Sequence, residues 1–233
     1  MDHVKRSMSN VFRLLTGLCC IVMLYGACAT FQARSVKESG FLGDYSMLKP
    51  GGEGKALLVY IDPEANIKAY SKIVMDPILM YAAADSKWDT LSKEDRQTLV
   101  NYASVVIREQ LSKDYTFVDR TGPGIMRLRV AITEAEGSNV PLDTMSTIIP
   151  VGLAVSGLKR LATGTPSFVG SASVEAEMLD SQSGKRLFAA ADRRIGSKIT
   201  GDFDKFDSTR AVQAAFDYWA DRLKKRLAEE RAK

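Results

Sequence analysis

The chain has 233 residues, 32 basic and 28 acidic side chains, a formal net charge of +4, and 45% apolar and 8% aromatic residues. This is ordinary globular composition, long enough for one domain with its own core. The aromatic content and only seven prolines exclude a disordered chain, and the near balance of charge excludes a dedicated nucleic-acid binder.

Lys5, Arg6 and Arg13 flank the start of an apolar run over 14–24, and the small residues Gly26, Ala27, Cys28 and Ala29 follow. That order is an export signal. The run falls well short of the ~20 residues a spanning helix needs. Leu24-Tyr25-Gly26-Ala27-Cys28 resembles the bacterial lipobox, with Tyr25 standing where a leucine is usual. The resemblance implies a signal peptide over 1–27 and a diacylglyceryl thioether on Cys28. Ala27-Cys28-Ala29 also fits an A-x-A site, and a cut after Ala29 gives a soluble secreted chain. Several buried acyl chains at about 0.8 kcal/mol per CH₂ anchor a protein without a helix. By resemblance to bacterial sorting rules, the lack of Asp after Cys28 implies the outer membrane.

Processing removes His3, the sole histidine, together with Cys19 and Cys20. The mature chain then has no imidazole, which excludes Ser-His-Asp and Cys-His catalysis and His-ligated zinc. With Cys28 lipidated, cysteine-based metal and redox chemistry goes too. No cofactor and no metal are expected. Ser46 and Lys49 spell S-x-x-K, but Pro50-Gly51-Gly52 follows at once and the partner motifs are missing. Asp202, Asp204 and Asp207 resemble a calcium loop that lacks its glycine and its terminal glutamate. Paired carboxylates remain open for an envelope hydrolase, though the sequence singles out no pair.

Residues 28–40 read as a tether from lipid to domain, and 41–230 as a single domain. Gly40-Phe41-Leu42-Gly43-Asp44-Tyr45-Ser46-Met47-Leu48 opens the domain. With Leu57-Leu58-Val59-Tyr60-Ile61-Asp62-Pro63 and the stretch from Tyr70 to Pro77, it resembles a family of Gram-negative lipoproteins of unknown function. Members share a Gly-Phe-Leu-x-Asp-Tyr-Ser-x-Leu block after the lipobox. The resemblance implies compartment and architecture, not chemistry. Phe41, Leu42 and Tyr45, with Leu48, either staple this arm to the core or form a docking surface for a partner.

Residues 57–61 form a short strand, and 73–81 a second, which Pro77 makes an edge strand or one bulged at that point. The spacing of Leu99, Tyr102, Ala103, Val106, Ile107 and Leu111 gives a helix over 92–113, with Ser92 and Asp95 as its capping pair. After Tyr115–Val118 and the Thr121–Gly124 turn, Met126, Leu128, Val130 and Ile132 alternate with Arg127 and Arg129, which face out. Ala172, Val174, Ala176 and Met178 alternate with Ser173, Glu175 and Glu177, read as the solvated face. The turn over 180–184 makes a hairpin with 185–194, and outward Arg and Glu pair across strands. A last helix spans 208–230 on Val212, Ala215, Phe216, Trp219, Leu223 and Leu227.

Residues 145–161 sit between two alternating strands, where a hairpin needs only a few. Residues 148–158 carry no charge. They form either an apolar crossover helix on the sheet or an exposed insertion. In the second case Ile148, Ile149, Val151, Leu153 and Val155 contact a membrane interface or another protomer.

The resulting expectation is an α+β domain, an antiparallel sheet of about four or five strands packed on the 92–113 and 208–230 helices. It is expected to be a non-catalytic lipid-anchored envelope lipoprotein at the periplasmic face of the outer membrane. Its partners are the membrane, through the anchor, and another copy or an envelope protein, with no nucleic acid. The alternatives are a soluble periplasmic ligand-binding module and a carboxylate-based hydrolase.

Overall fold

The computed structural model describes residues 30–82, 92–137, 168–197 and 208–233. Cys28, residues 145–161 and the 202–207 aspartates lie outside them. Helix α1 (Lys93–Leu111) begins at the expected capping pair: Asp95 N–H donates to Ser92 Oγ at 3.0 Å, and Ser92 Oγ–H donates to Asp95 Oδ2 at 2.8 Å. Its buried face is Leu99, Ala103, Val106, Ile107 and Leu111, as the spacing requires. Helix α2 (Ser208–Ala232) packs against α1 and across the sheet through Val212, Ala215, Phe216, Ala220 and Leu227.

The sheet departs from expectation. Among the described residues it has nine strands, seven in one continuous order and two more paired at its flanks, and it is mixed. Three long strands, β7 (Ile125–Gly137), β8 (Phe168–Asp180) and β9 (Arg186–Ser197), form an antiparallel meander. On one side β7 carries β4 (Lys72–Met75) and then β5 (Leu79–Met80), both parallel to it. On the other side β9 carries β3 (Leu58–Ile61) and then β1 (Thr30–Gln32), both antiparallel. Short strands β6 (Thr116–Phe117), parallel to β4, and β2 (Lys49–Pro50), antiparallel to β3, close the edges.

The extra strands escaped the sequence because two or three residues are too few to show a period of two. The parallel pairs arise because the chain from β4 to β7 crosses over through α1, and a parallel neighbour needs a crossover of that length. Pro77 falls between β4 and β5 and splits the expected strand in two.

Met126, Leu128, Val130 and Ile132 face the helices and are at most 4% exposed. Ala172, Val174 and Met178 join them in one cluster with both helices. The β8–β9 turn is built as expected. Gly184 takes φ +74°, and Asp180 Oδ1 accepts from the N–H groups of Gln182 and Ser183. These bonds, led by that of the Ser183 N–H, hold the Asp180 carboxyl below its ordinary range. Its partner Tyr70 is pushed up to about 12, first by burial and then by the bond to Asp180.

Leu128→Ala is expected to lower stability by about 2–5 kcal/mol in urea titration, whereas Val105→Ala, at a position 63% exposed, stays within about 0.5 kcal/mol. A depressed folded-state pKa adds stability above the unfolded value of about 3.9 and loses it as pH falls through the folded value. Asp180→Asn is therefore expected to destabilise at pH 7, with the difference from wild type shrinking as the medium is acidified below about pH 4.

Candidate functional site

The far face of the meander, away from the helices, is not solvated. Glu175 is 0% exposed and Glu177 2%. Both were expected to point into water; instead residues 33–48 run across this face and cover them. All four carboxylate oxygens are bonded. Glu175 Oε1 accepts from the Ser39 N–H at 2.8 Å, and Glu175 Oε2 from the Tyr45 O–H at 2.6 Å. Glu177 Oε1 is held by Arg129 and Glu177 Oε2 by Arg186 Nε at 2.9 Å. Arg129 stands directly opposite Glu177 in the strand register, so the expected cross-strand pairing is present, inside the protein rather than on its surface.

Arg186 bolts the arm down. Besides Glu177, it donates to the carbonyls of Leu42 at 2.6 Å and Asp44 at 2.7 Å. Arg129 lies under the Phe41 ring, 4.9 Å from its centroid. Phe41 also meets Tyr81 edge-on at 5.9 Å. The arm can come this close because the strand residues beside the carboxylates are small: Ala131 opposite Glu175 on β7, and Ala189 and Ala191 opposite Glu177 and Glu175 on β9. Phe41 and Leu42 pack on Ala131 and Ala189, with Tyr45, Leu48 and Tyr60 around them.

Phe41 and Leu42, 7% and 4% exposed, thus staple the arm to its own sheet. The docking reading fails at these two positions, since their apolar surface is already covered. Tyr45 is half-buried and its hydroxyl collects the Gly40 N–H at 2.8 Å while donating to Glu175. The tether expected over 28–40 is also corrected. Residues 30–32 are strand β1, and Ala33 N–H donates to the Arg193 carbonyl at 2.9 Å. Thr30 is thus already part of the body, and Arg194 fixes it there through Thr30 Oγ1 at 2.8 Å and the Thr30 carbonyl at 2.6 Å. Arg194 is itself stacked on Tyr218 at 3.6 Å.

Sequence reasoning missed Glu175, Glu177, Arg129 and Arg186 as a buried network. A signal was present: Ala189 to Ala191 break the alternation on β9, and alanines flanking a supposedly solvated face leave room for something to lie on it. Each oxygen of both glutamates thus has a partner, and residues 39–45 lie above the pair. Among the described residues, no cluster of His, Cys, Asp and Glu is suited to hold a metal ion, and no helix is long and apolar enough to cross a membrane.

The chain belongs to the family described as protein of unknown function (DUF3313), whose model matches residues 37–223. It is 27% identical over 193 residues to the uncharacterized lipoprotein YdcL of Escherichia coli K12, covering 82% of this chain and 85% of that protein. Among solved structures it is similar to the PelC dodecamer of Paraburkholderia phytofirmans, at 11% identity and a TM-score of 0.38 over 71% of this chain and 94% of that one. It is also similar to protein XCC0632 of Xanthomonas campestris, at 11% identity and a TM-score of 0.35 over 70% and 86% of the two chains.

Tyr45→Phe removes a donor from a buried carboxylate and is expected to cost about 1–3 kcal/mol. Hydrogen exchange should accelerate over residues 39–48 while β7 and β8 stay protected. Burial, and next the bond to Glu175, raises the Tyr45 pKa above 10. A raised folded value means stability that is full below about pH 10 and is lost as pH climbs through the folded pKa. In a difference titration of tyrosine absorbance against Tyr45→Phe, the Tyr45 transition is expected above that of free tyrosine, and Glu175→Gln should lower it.

Proposed function

We propose that this chain is a non-catalytic lipoprotein of the bacterial cell envelope, lipidated on Cys28 and held at the periplasmic face of the outer membrane as an interaction or assembly component. The observation that carries this reading is how early the chain is ordered into the body: Thr30, two residues after the lipobox cysteine, is already paired with β9. Membership of the family and the likeness to a protein named as a lipoprotein support it.

Arg194 favours this processing over a cut after Ala29. Such a cut makes Thr30 the new terminus and puts its ammonium beside a guanidinium already bonded to Thr30 Oγ1 and the Thr30 carbonyl. Like charges at that separation repel, and Arg194 is 7% exposed, so water screens them weakly. A cut before Cys28 moves the charged amine away.

The short span from Cys28 to Thr30 has a mechanical consequence. Two residues reach at most ~7 Å, so the body is held against the bilayer in one orientation rather than on a leash. The end of the sheet that faces the membrane is the one carrying Thr30, Gly196, Gly137 and Phe168, as the registers place them. The chain that bears the uncharged run 148–158 leaves β7 and re-enters β8 at this same end.

Labelled palmitate is expected to enter the wild type and not Cys28→Ala, which should fractionate as soluble protein. Label in both, or in neither, rejects the anchor. A ten-residue Gly-Ser insertion between Ala29 and Thr30 should keep the label but relax the fixed orientation, seen as faster proteolysis of the membrane-facing end in intact vesicles.

A further inference from the structure

Seven strands at about 4.8 Å spacing span roughly 29 Å, and two helices packed 8–10 Å apart cover about 20 Å of that width. α1 and α2 sit side by side with α2 over β8 and β9, so among the described residues no helix lies above the inner face of the sheet toward β3. A cavity of about 100 Å³ opens there, floored by Val59, Phe188 and Ala190 and walled by Trp219 and Leu223 of α2. Ala176, Ala190 and Ala220, where bulkier residues would fill the space, make the void.

The lining is apolar, and its one buried acid is already satisfied. Asp192 Oδ1 accepts from Gln32 Nε2 at 2.9 Å and the Leu57 N–H at 3.1 Å, and Asp192 Oδ2 from Trp219 Nε1 at 2.8 Å. The rim is different. Arg226 is neutralised by Glu229 at 2.9 Å and Glu230 at 3.5 Å. Arg222 donates to the uncharged carbonyl of Gly54, and among the described residues neither Arg222 nor Lys55 has a carboxylate partner. The Gly54 turn, at φ +69°, holds Lys55 beside Arg222, and a Cβ at Gly54 would come within 3.3 Å of the guanidinium. Two uncompensated cations therefore stand at the mouth of an apolar slot.

We propose that this groove binds the single acyl chain of a fatty carboxylate, with the chain along Ala190 and Leu223 and the carboxylate at Lys55 and Arg222. Charge complementarity selects an anion, and Arg presents the geometry that a carboxylate matches. The enclosed part of the groove, about 100 Å³, is smaller than the ~150 Å³ that admits a benzene ring, so it takes only the tail end of one chain, the rest of which lies along the open groove. The groove owes nothing to the anchor on Cys28.

The chain has two tryptophans, Trp88 and Trp219, so Trp88→Phe leaves the groove residue as sole reporter. Dodecanoate, added below its micelle concentration, is expected to shift Trp219 emission saturably at one site per chain. Dodecyltrimethylammonium and dodecanol, which share the tail, should bind more weakly. Lys55→Glu, at an exposed position that leaves the core untouched, should weaken dodecanoate about fivefold or more and spare dodecanol. Ala190→Leu, with the fold checked by circular dichroism, should abolish the shift. An equal response to the three head groups overturns the proposal, as does undiminished dodecanoate binding in Lys55→Glu or an absent or unsaturable response in the parent.

Discussion

Two carboxyl groups sit in the middle of the central strand with no access to water, and the outer half of the structure follows from satisfying them. A buried acid without partners costs several kcal/mol, and breaking a buried pair by removing one partner is more costly than never having had it. Glu177 is answered from within the sheet, by Arg129 across β7 and by Arg186 at the start of β9. Glu175 is held by the Ser39 N–H and the Tyr45 hydroxyl. The arm over 33–48 is therefore a required part of the domain, since it carries the donors that the sheet lacks.

This arrangement gives the meander two coats of different kinds. On one face, helices bury aliphatic side chains by area, a term that tolerates small shifts. On the other, a strap without helix or long strand is held by directional bonds, with Arg186 reaching both Glu177 and the strap's own carbonyls. Phe41 and Leu42 exclude water from those bonds, which strengthens each of them. The strap begins beside the edge pairing of β1 with β9, so the route from Thr30 into the core is continuous. A pull on the amino end is delivered to Thr30, where Arg194 and three register pairs take the load, before it reaches the buried carboxylates.

Among the described residues the helix side is incomplete for a reason of width. A sheet extended by β3 and β2 outruns two helices, and the residual slot is apolar because the strand face there was never solvated. Its cationic mouth comes from a loop and a helix that meet only in the folded chain, Gly54 and Lys55 against Arg222. Neither half of that rim is recognisable alone: a Gly-Lys turn and a basic helical stretch are each common on any surface.

The unfolded string of residues already displays the two helices, the capping of α1, the inward faces of β7 and β8, and the hairpin at Asp180 and Gly184. Each depends on local chemistry or on a period sustained over many residues, which a linear chain exhibits. It took the folded chain to establish that the sheet is mixed and nine-stranded, that Glu175 and Glu177 are inside, and that 30–32 is strand rather than tether. A two-residue strand has no period to read, and an alternating Ser and Glu face looks the same whether water or another piece of chain lies on it. The difference is made by Ser39, Tyr45 and Arg186, whose contacts with β8 span up to 136 residues of sequence, and pairings at that separation exist only once the chain has closed on itself.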